Sequence, residues 1–109
     1  MILYNVTCKV DNDIADEWRT WMLDDHIPAV MATGFFEKWK LCRLISHKEP
    51  DETTFAIQYF ATDMASLHRY TVQHAPKLQL EHHTRYGDKV VAFRTMLEVE
   101  HEARELSEN

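Results

Sequence analysis

The chain has 109 residues, 45% of them apolar and 28% charged, which fits one globular domain with its own core. Twelve Lys and Arg stand against eighteen Asp and Glu, for a formal net charge of −6. That balance excludes the basic surface that nucleic acids require and disfavours an anionic membrane surface. No run of about 20 apolar residues is present, so no membrane-spanning helix is expected, and the N-terminus lacks a basic region and cleavage pattern, so a cytoplasmic protein is expected.

The opening residues alternate. Ile2, Tyr4, Val6, Cys8 and Val10 share one face of a first strand. Asp11, Asn12 and Asp13 offer capping oxygens for a helix over about 13–33. Ile14, Trp18, Trp21, Met22 and Asp25 recur at three- and four-residue spacing and make its inward stripe. Pro28 predicts a kink or break near His26-Ile27 and a short second turn after it. Gly34 supplies a left-handed terminator. Residues 35–46 read as a long second strand, with room for a bulge, and the polar run 47–53 as a turn.

A third strand covers 54–61, with Phe55, Ile57 and Tyr59 on one face. Asp63 is the expected cap of a second helix whose inner stripe is Met64, Leu67, Tyr70 or Thr71, His74 and Leu78. Pro76 interrupts that helix and Gly87 closes it. A fourth strand spans about 89–99, with Val91, Phe93, Leu97 and Val99 on its more apolar face. The domain is read as 1–99, followed by an acidic tail, 100–109, that is frayed or loosely helical.

Strand-helix-strand thus occurs twice, and each half carries His-x-Pro, a glycine and an arginine in the same order: His26, Pro28, Gly34, Arg43, then His74, Pro76, Gly87, Arg94. Two such units with right-handed crossovers give a ferredoxin-like βαββαβ fold of the α+β class. It is a four-stranded antiparallel sheet with strands one and three central and two helices on one face. The pseudo-twofold sets His26 against His74. The helix-side set is Ile2, Tyr4, Val6, Phe55, Ile57, Tyr59, Val91 and Phe93. The opposite face, with Leu3, Asn5, Thr7, Ala56, Gln58, Phe60, Ala92, Arg94 and Met96, is too apolar for water, so a homodimer packed sheet on sheet is expected.

The opening Ile2-Leu3-Tyr4-Asn5-Val6-Thr7, the run from Trp18 through Trp21-Met22, His26-Ile27-Pro28 and Met31-Ala32-Thr33-Gly34-Phe35, the His74-Ala75-Pro76 step, and Gly87-Asp88-Lys89 with Ala92-Phe93-Arg94-Thr95 together resemble the bacterial domain of unknown function 4286 family. The resemblance covers about residues 1–99. It implies a dimeric α+β barrel of ferredoxin-like subunits and no particular activity. Barrels of this type include cofactor-free monooxygenases, isomerases and pure binding proteins, so the fold does not choose a function.

Candidate catalytic residues are His26, Asp25 and His74: imidazole suits proton transfer near neutral pH, and Asp25 is a carboxylate on an apolar stripe. The competing role is structural, each histidine satisfying a carbonyl orphaned by its proline. Asn5, Gln58 and Arg94 share the face away from the helices, where Arg43 can join them, and are candidate holders of a carboxylate or other oxyanion. The competing role is to bond across the dimer seam. Trp18 and Trp21 line a cleft or are plain core.

No metal site is expected, because neighbouring His82 and His83 diverge on a helix and no H-E-x-x-H spacing occurs. No cofactor is expected either: Gly34 and Gly87 are the only glycines, so no glycine-rich nucleotide loop exists. Cys8 and Cys42 are expected as two buried thiols, which suits a reducing compartment. The first expectation for function is a dimer binding a small ligand. The alternatives are a cofactor-free monooxygenase- or isomerase-like enzyme, and a protein-interaction module using the tail. A closed interior with no cavity above a few water volumes would exclude the enzyme.

Overall fold

The computed structural model describes residues 1–103. Strand β1 (Ile2–Asp11) leads through a 3-10 turn (Asn12–Ile14) into helix α1 (Ala15–Trp21), a π-helical turn (Met22–His26) and helix α2 (Ile27–Ala32). Strands β2 (Lys38–Arg43) and β3 (Glu52–Ala61) form a hairpin. Helices α3 (Met64–Gln73) and α4 (Ala75–Tyr86), a 3-10 turn (Gly87–Lys89) and strand β4 (Val90–Glu98) complete the order. The four strands make one antiparallel sheet in the order β2-β3-β1-β4. The βαββαβ ferredoxin-like arrangement is therefore as expected, with β1 and β3 central and the helices on one face.

The alternating residues of β1 and β3 behave as read. Ile2, Tyr4, Cys8 and Val10 are buried against Phe55, Ile57 and Tyr59, and Leu67, Tyr70, Ala75 and Leu78 cover them from α3 and α4. The Asp63 carboxylate caps α3 by accepting from the Ser66 N–H at 2.8 Å. Gly34 (φ 83°) and Gly87 (φ 56°) end the two helical segments in conformations that L-residues resist.

Four expectations need correction. The second strand is Lys38–Arg43, without a bulge, because Phe36 leaves the sheet line and drops into the core, where its ring meets Tyr70 at 4.8 Å and Tyr59 at 5.1 Å. Met64, the first residue of α3, is exposed, and the inward stripe of that helix begins at Leu67. Cys8 is buried but Cys42 is exposed, because β2 is an edge strand and Cys42 pairs with Ala56 on the open face.

Pro28 opens the short helix α2 in its first turn, as expected, and an irregular turn rather than a full break precedes it. In that π turn the Ile27 N–H reaches back five residues to the Met22 carbonyl. Finally, the fourth strand has the opposite parity. Val90, Ala92, Arg94 and Met96 lie opposite Val10, Cys8, Val6 and Tyr4 and so share the helix side, while Val91, Phe93 and Leu97 face away. The tail has no regular structure through Ala103, and the rest of it lies outside the described residues.

Candidate functional site

The parity of β4 relocates Arg94. Expected beside Asn5 and Gln58, it instead shares the helix side with Tyr4 and Val6. Asn5 and Gln58 do sit directly opposite each other on the open face, and the Asn5 amide donates to the Thr7 hydroxyl at 3.0 Å. Arg43, paired with Phe55, is on the helix side at the opposite edge of the sheet, far from Arg94. The expected oxyanion quartet is thus divided into three places.

A π turn carries about one residue more than an α turn, so it rotates the helix beyond it. After Met22, the inward position falls on His26 and Ile27, and Asp25 is turned out into solvent. Asp25 instead lines an open acidic groove with Asp16, Glu17 and Asp24. His26 does not meet His74 as the pseudo-twofold requires. Its ring lies 5.7 Å from His82, whereas His74 packs on Phe35 (5.7 Å) and Tyr70 (6.4 Å). Each proline lies in the first turn of the helix that follows, but the two steps differ at the histidine: His26 (φ −70°) keeps helical backbone, whereas His74 (φ −125°) separates α3 from α4.

His82 enters the sequence reading only as a rejected metal ligand. The signal that finds it is the helical period: Leu78, His82 and Tyr86 continue the inner stripe of α4 at four-residue steps, and Gln79 flanks it. Trp18 is fully buried and its indole N–H donates to His82 Nε2 at 2.9 Å. That bond requires an unprotonated Nε2, so the ring proton resides on Nδ1. Trp18 also packs on Phe55 at 4.9 Å and is core. Half-buried Trp21 stacks on His82 at 5.9 Å and meets His26 at a tilt at 5.2 Å, while the Arg85 guanidinium lies over its ring at 5.2 Å.

Burial pushes both imidazoles down to about 4, assisted for His26 by His82 and Arg94 and for His82 by Arg94 and His83. Both are uncharged at neutral pH. Burial raises the Cys8 thiol to about 12, with Arg94 opposing, so Cys8 is no thiolate nucleophile. Burial also raises Tyr4, against the pull of Arg94 and Gln79 near its hydroxyl. Arg94 makes no ion pair among the described residues.

Two small cavities share Val6, Met22, His26, Gln79 and Arg94 as walls. One, about 30 Å³, extends toward Tyr4, Tyr59 and Tyr70; the other, about 20 Å³, toward Cys8 and His82. Each has room for about one water. His26 Nδ1 is buried with no hydrogen-bond partner. The arrangement is a guanidinium, two neutral imidazoles, an amide and a phenol around a narrow space. It suits a small oxyanion or a single proton transfer, and it is too narrow to enclose an aromatic substrate. Among the described residues, no three His, Cys, Asp or Glu gather as metal ligands, and no helix is long and apolar enough to cross a membrane.

The sequence model for domain of unknown function 4286 matches residues 1–100. The chain belongs to that family. Comparison with curated proteins gives no match. Among solved structures, this family member is similar to SnoaB, a cofactor-independent oxygenase from Streptomyces nogalater, with a TM-score of 0.68 at 13% identity over 95% of this chain and 98% of the other. It is also similar to a hydroxynitrile lyase from Passiflora edulis, with a TM-score of 0.58 at 12% identity over 89% and 94% of the two chains. A dimeric ferredoxin-like protein from an uncultured marine organism gives 0.57 at 13% identity over 94% and 97%. These likenesses establish the fold. An oxygenase and a lyase share it, so it selects no reaction.

Proposed function

We propose that this protein is a homodimer that binds the carboxylate head of a small organic acid between its helices and sheet, at Arg94 and His26. The observation that carries the reading is the orphan nitrogen: among the described residues His26 Nδ1 is buried without a partner, on a cavity wall it shares with a guanidinium that makes no ion pair. A buried polar atom without a partner costs about 1–3 kcal/mol, so such a site favours an occupant. A carboxylate spans the two groups, accepting two parallel hydrogen bonds from Arg94 and one from an Nδ1–H tautomer of His26. The cavities admit a head group only, so the rest of the acid lies outward past Arg94, which is exposed at the cleft mouth.

The open sheet face supports the dimer. Phe93, Leu97 and Val91 are 53%, 46% and 45% exposed on one edge of it, beside half-buried Leu3 and Phe60. Asn5 and Gln58 then lie in the seam and fix its register. The two free thiols fit a reducing cytoplasm.

Isothermal titration with acetate, propionate and benzoate tests the site. Wild type binds at least one acid, Arg94→Gln loses at least tenfold in affinity, and His26→Gln weakens binding while retaining the fold. Equal affinity in wild type and Arg94→Gln refutes the reading. The enzyme-like alternative draws on the same nitrogen, since an unpartnered neutral imidazole can take a proton from a substrate. It otherwise rests on likeness of fold, and the cavities favour an acid or base acting at the cleft mouth over a buried oxygenation chamber.

A further inference from the structure

Arg43, separated from the residues it was expected to join, has a different neighbour. It lines a groove of about 240 Å³ with Arg19 of α1, over Leu41 and Phe55. The placement comes from local structure. Arg43 and Leu41 alternate inward on β2, opposite Phe55 and Ile57 of β3. Trp18 seats α1 on Phe55, and Arg19, next in sequence, leans out over the sheet edge.

Two guanidinium groups on one groove repel, and the chain carries an excess of six negative charges with which to neutralise them. It does so elsewhere: Lys9 pairs with Glu49, Arg85 with Glu17, and Lys89 with Asp11 and Asp13. Among the described residues neither Arg19 nor Arg43 has a carboxylate partner. Glu49 and Glu52 line the adjoining groove, which Arg43 also borders, but Glu49 is held by Lys9 at 3.2 Å.

We infer that Arg19 and Arg43 form a second anion site, which takes a small phosphate monoester with its apolar group on Leu41 and Phe55. Two cations match a phosphate carrying about −1.5 to −2 charges better than they match a monocarboxylate. Each planar fork can engage two phosphate oxygens. The volume lies below the roughly 300–1,000 Å³ of sites for drug-sized ligands, which restricts the ester to about one ring or a short chain. The site is on the helix side of the sheet, so a sheet-on-sheet dimer leaves it open. It is also on the opposite edge strand from Arg94, about 14 Å across three strand spacings. It stands or falls apart from the carboxylate site.

The test is titration with phenyl phosphate, inorganic phosphate and benzoate, monitored by calorimetry and by amide NMR shifts. Phenyl phosphate binds wild type and moves the Leu41 and Phe55 amides. Arg19→Gln and Arg43→Gln each weaken it at least tenfold, and Arg94→Gln leaves it unchanged. Both arginines are exposed, so circular dichroism of the variants stays native. Absence of binding, or affinity unaffected by Arg19→Gln and Arg43→Gln, overturns the site. Loss with Arg94→Gln alone assigns the anion to the other cleft and overturns it equally. Inorganic phosphate binding as tightly as phenyl phosphate overturns the apolar part of the assignment, and benzoate binding more tightly than phenyl phosphate to the Arg94→Gln variant, in which the other cleft is disabled, overturns the phosphate part.

Discussion

Mild acid is expected to destabilise this protein through two histidines. In the unfolded chain His26 and His82 titrate near 6.5; in the fold burial holds both to about 4. Between those values the unfolded state binds up to two protons that the folded state refuses. Stability is therefore full above pH 6.5, falls as pH drops through 6.5 toward 4, and then levels with respect to these groups. The full gap corresponds to at most about 3 kcal/mol per ring. Both rings are half-buried and keep some solvent screening, so about 2 kcal/mol each, ~4 together, is the working figure. Against a total of about 5–15 kcal/mol for a domain, that is a large share. Capping carboxylates such as Asp63, whose acidity is strengthened by the Ser66 N–H, lose their contribution only at lower pH and leave the window clear. Urea unfolding at pH 7.5 and 4.5, monitored by tryptophan fluorescence at fixed protein concentration, measures the difference. The double variant His26→Gln, His82→Gln removes both titrations and flattens the profile. A wild-type stability that changes by less than about 1 kcal/mol over this range, or an undiminished slope in the double variant, refutes the reasoning.

Single contacts give three further expected outcomes. Phe93→Asp places a charge in the proposed seam and shifts the species seen by sedimentation from dimer to monomer without altering the helix-side core; an unchanged dimer places the interface elsewhere. Trp18→Phe removes the donor to His82 Nε2 and part of a fully buried ring. It lowers stability by about 1–3 kcal/mol and raises the His82 titration midpoint seen by NMR, because the bond it deletes favours the neutral ring. Asp63→Ala takes the cap from α3 and costs about 1 kcal/mol in thermal unfolding, with no effect on ligand titrations.

The parts of the fold legible from sequence are those where one physical signal acts alone. In β1 and β3 the alternation is clean, since one face meets the helices and the other does not. Asp63 and the two glycines mark helix ends by chemistry that few other residues supply. Strand β4 is ambiguous because both parities carry apolar residues: Val90 and Ala92 face the core while Val91, Phe93 and Leu97 line the open face. Choosing the greasier parity inverts the strand and sends Arg94 to the wrong side. The π turn is hidden for a different reason. A uniform period of 3.6 residues through the first helix points Asp25 inward, and one extra residue in a turn moves that position to His26. His82 is within reach of the periodicity argument once the inner stripe of α4 is extended past Leu78.

Pro28 and the π turn belong together. Proline has no N–H to offer the preceding turn, and its ring crowds the carbonyl four residues earlier. Widening that turn relieves the crowding and lets the chain continue as a helix, with the Ile27 N–H bonding to Met22. The same widening decides the character of the site. Without it the regular period would turn the Asp25 carboxylate toward the sheet. With it, Arg94 meets an imidazole that burial keeps uncharged. Among the described residues the guanidinium has no carboxylate partner, and the nearby His26 nitrogen retains an unused hydrogen-bonding position. In the proposed reading this cleft takes its anion from outside the chain, and the helix irregularity is what turns the Asp25 carboxylate away from it.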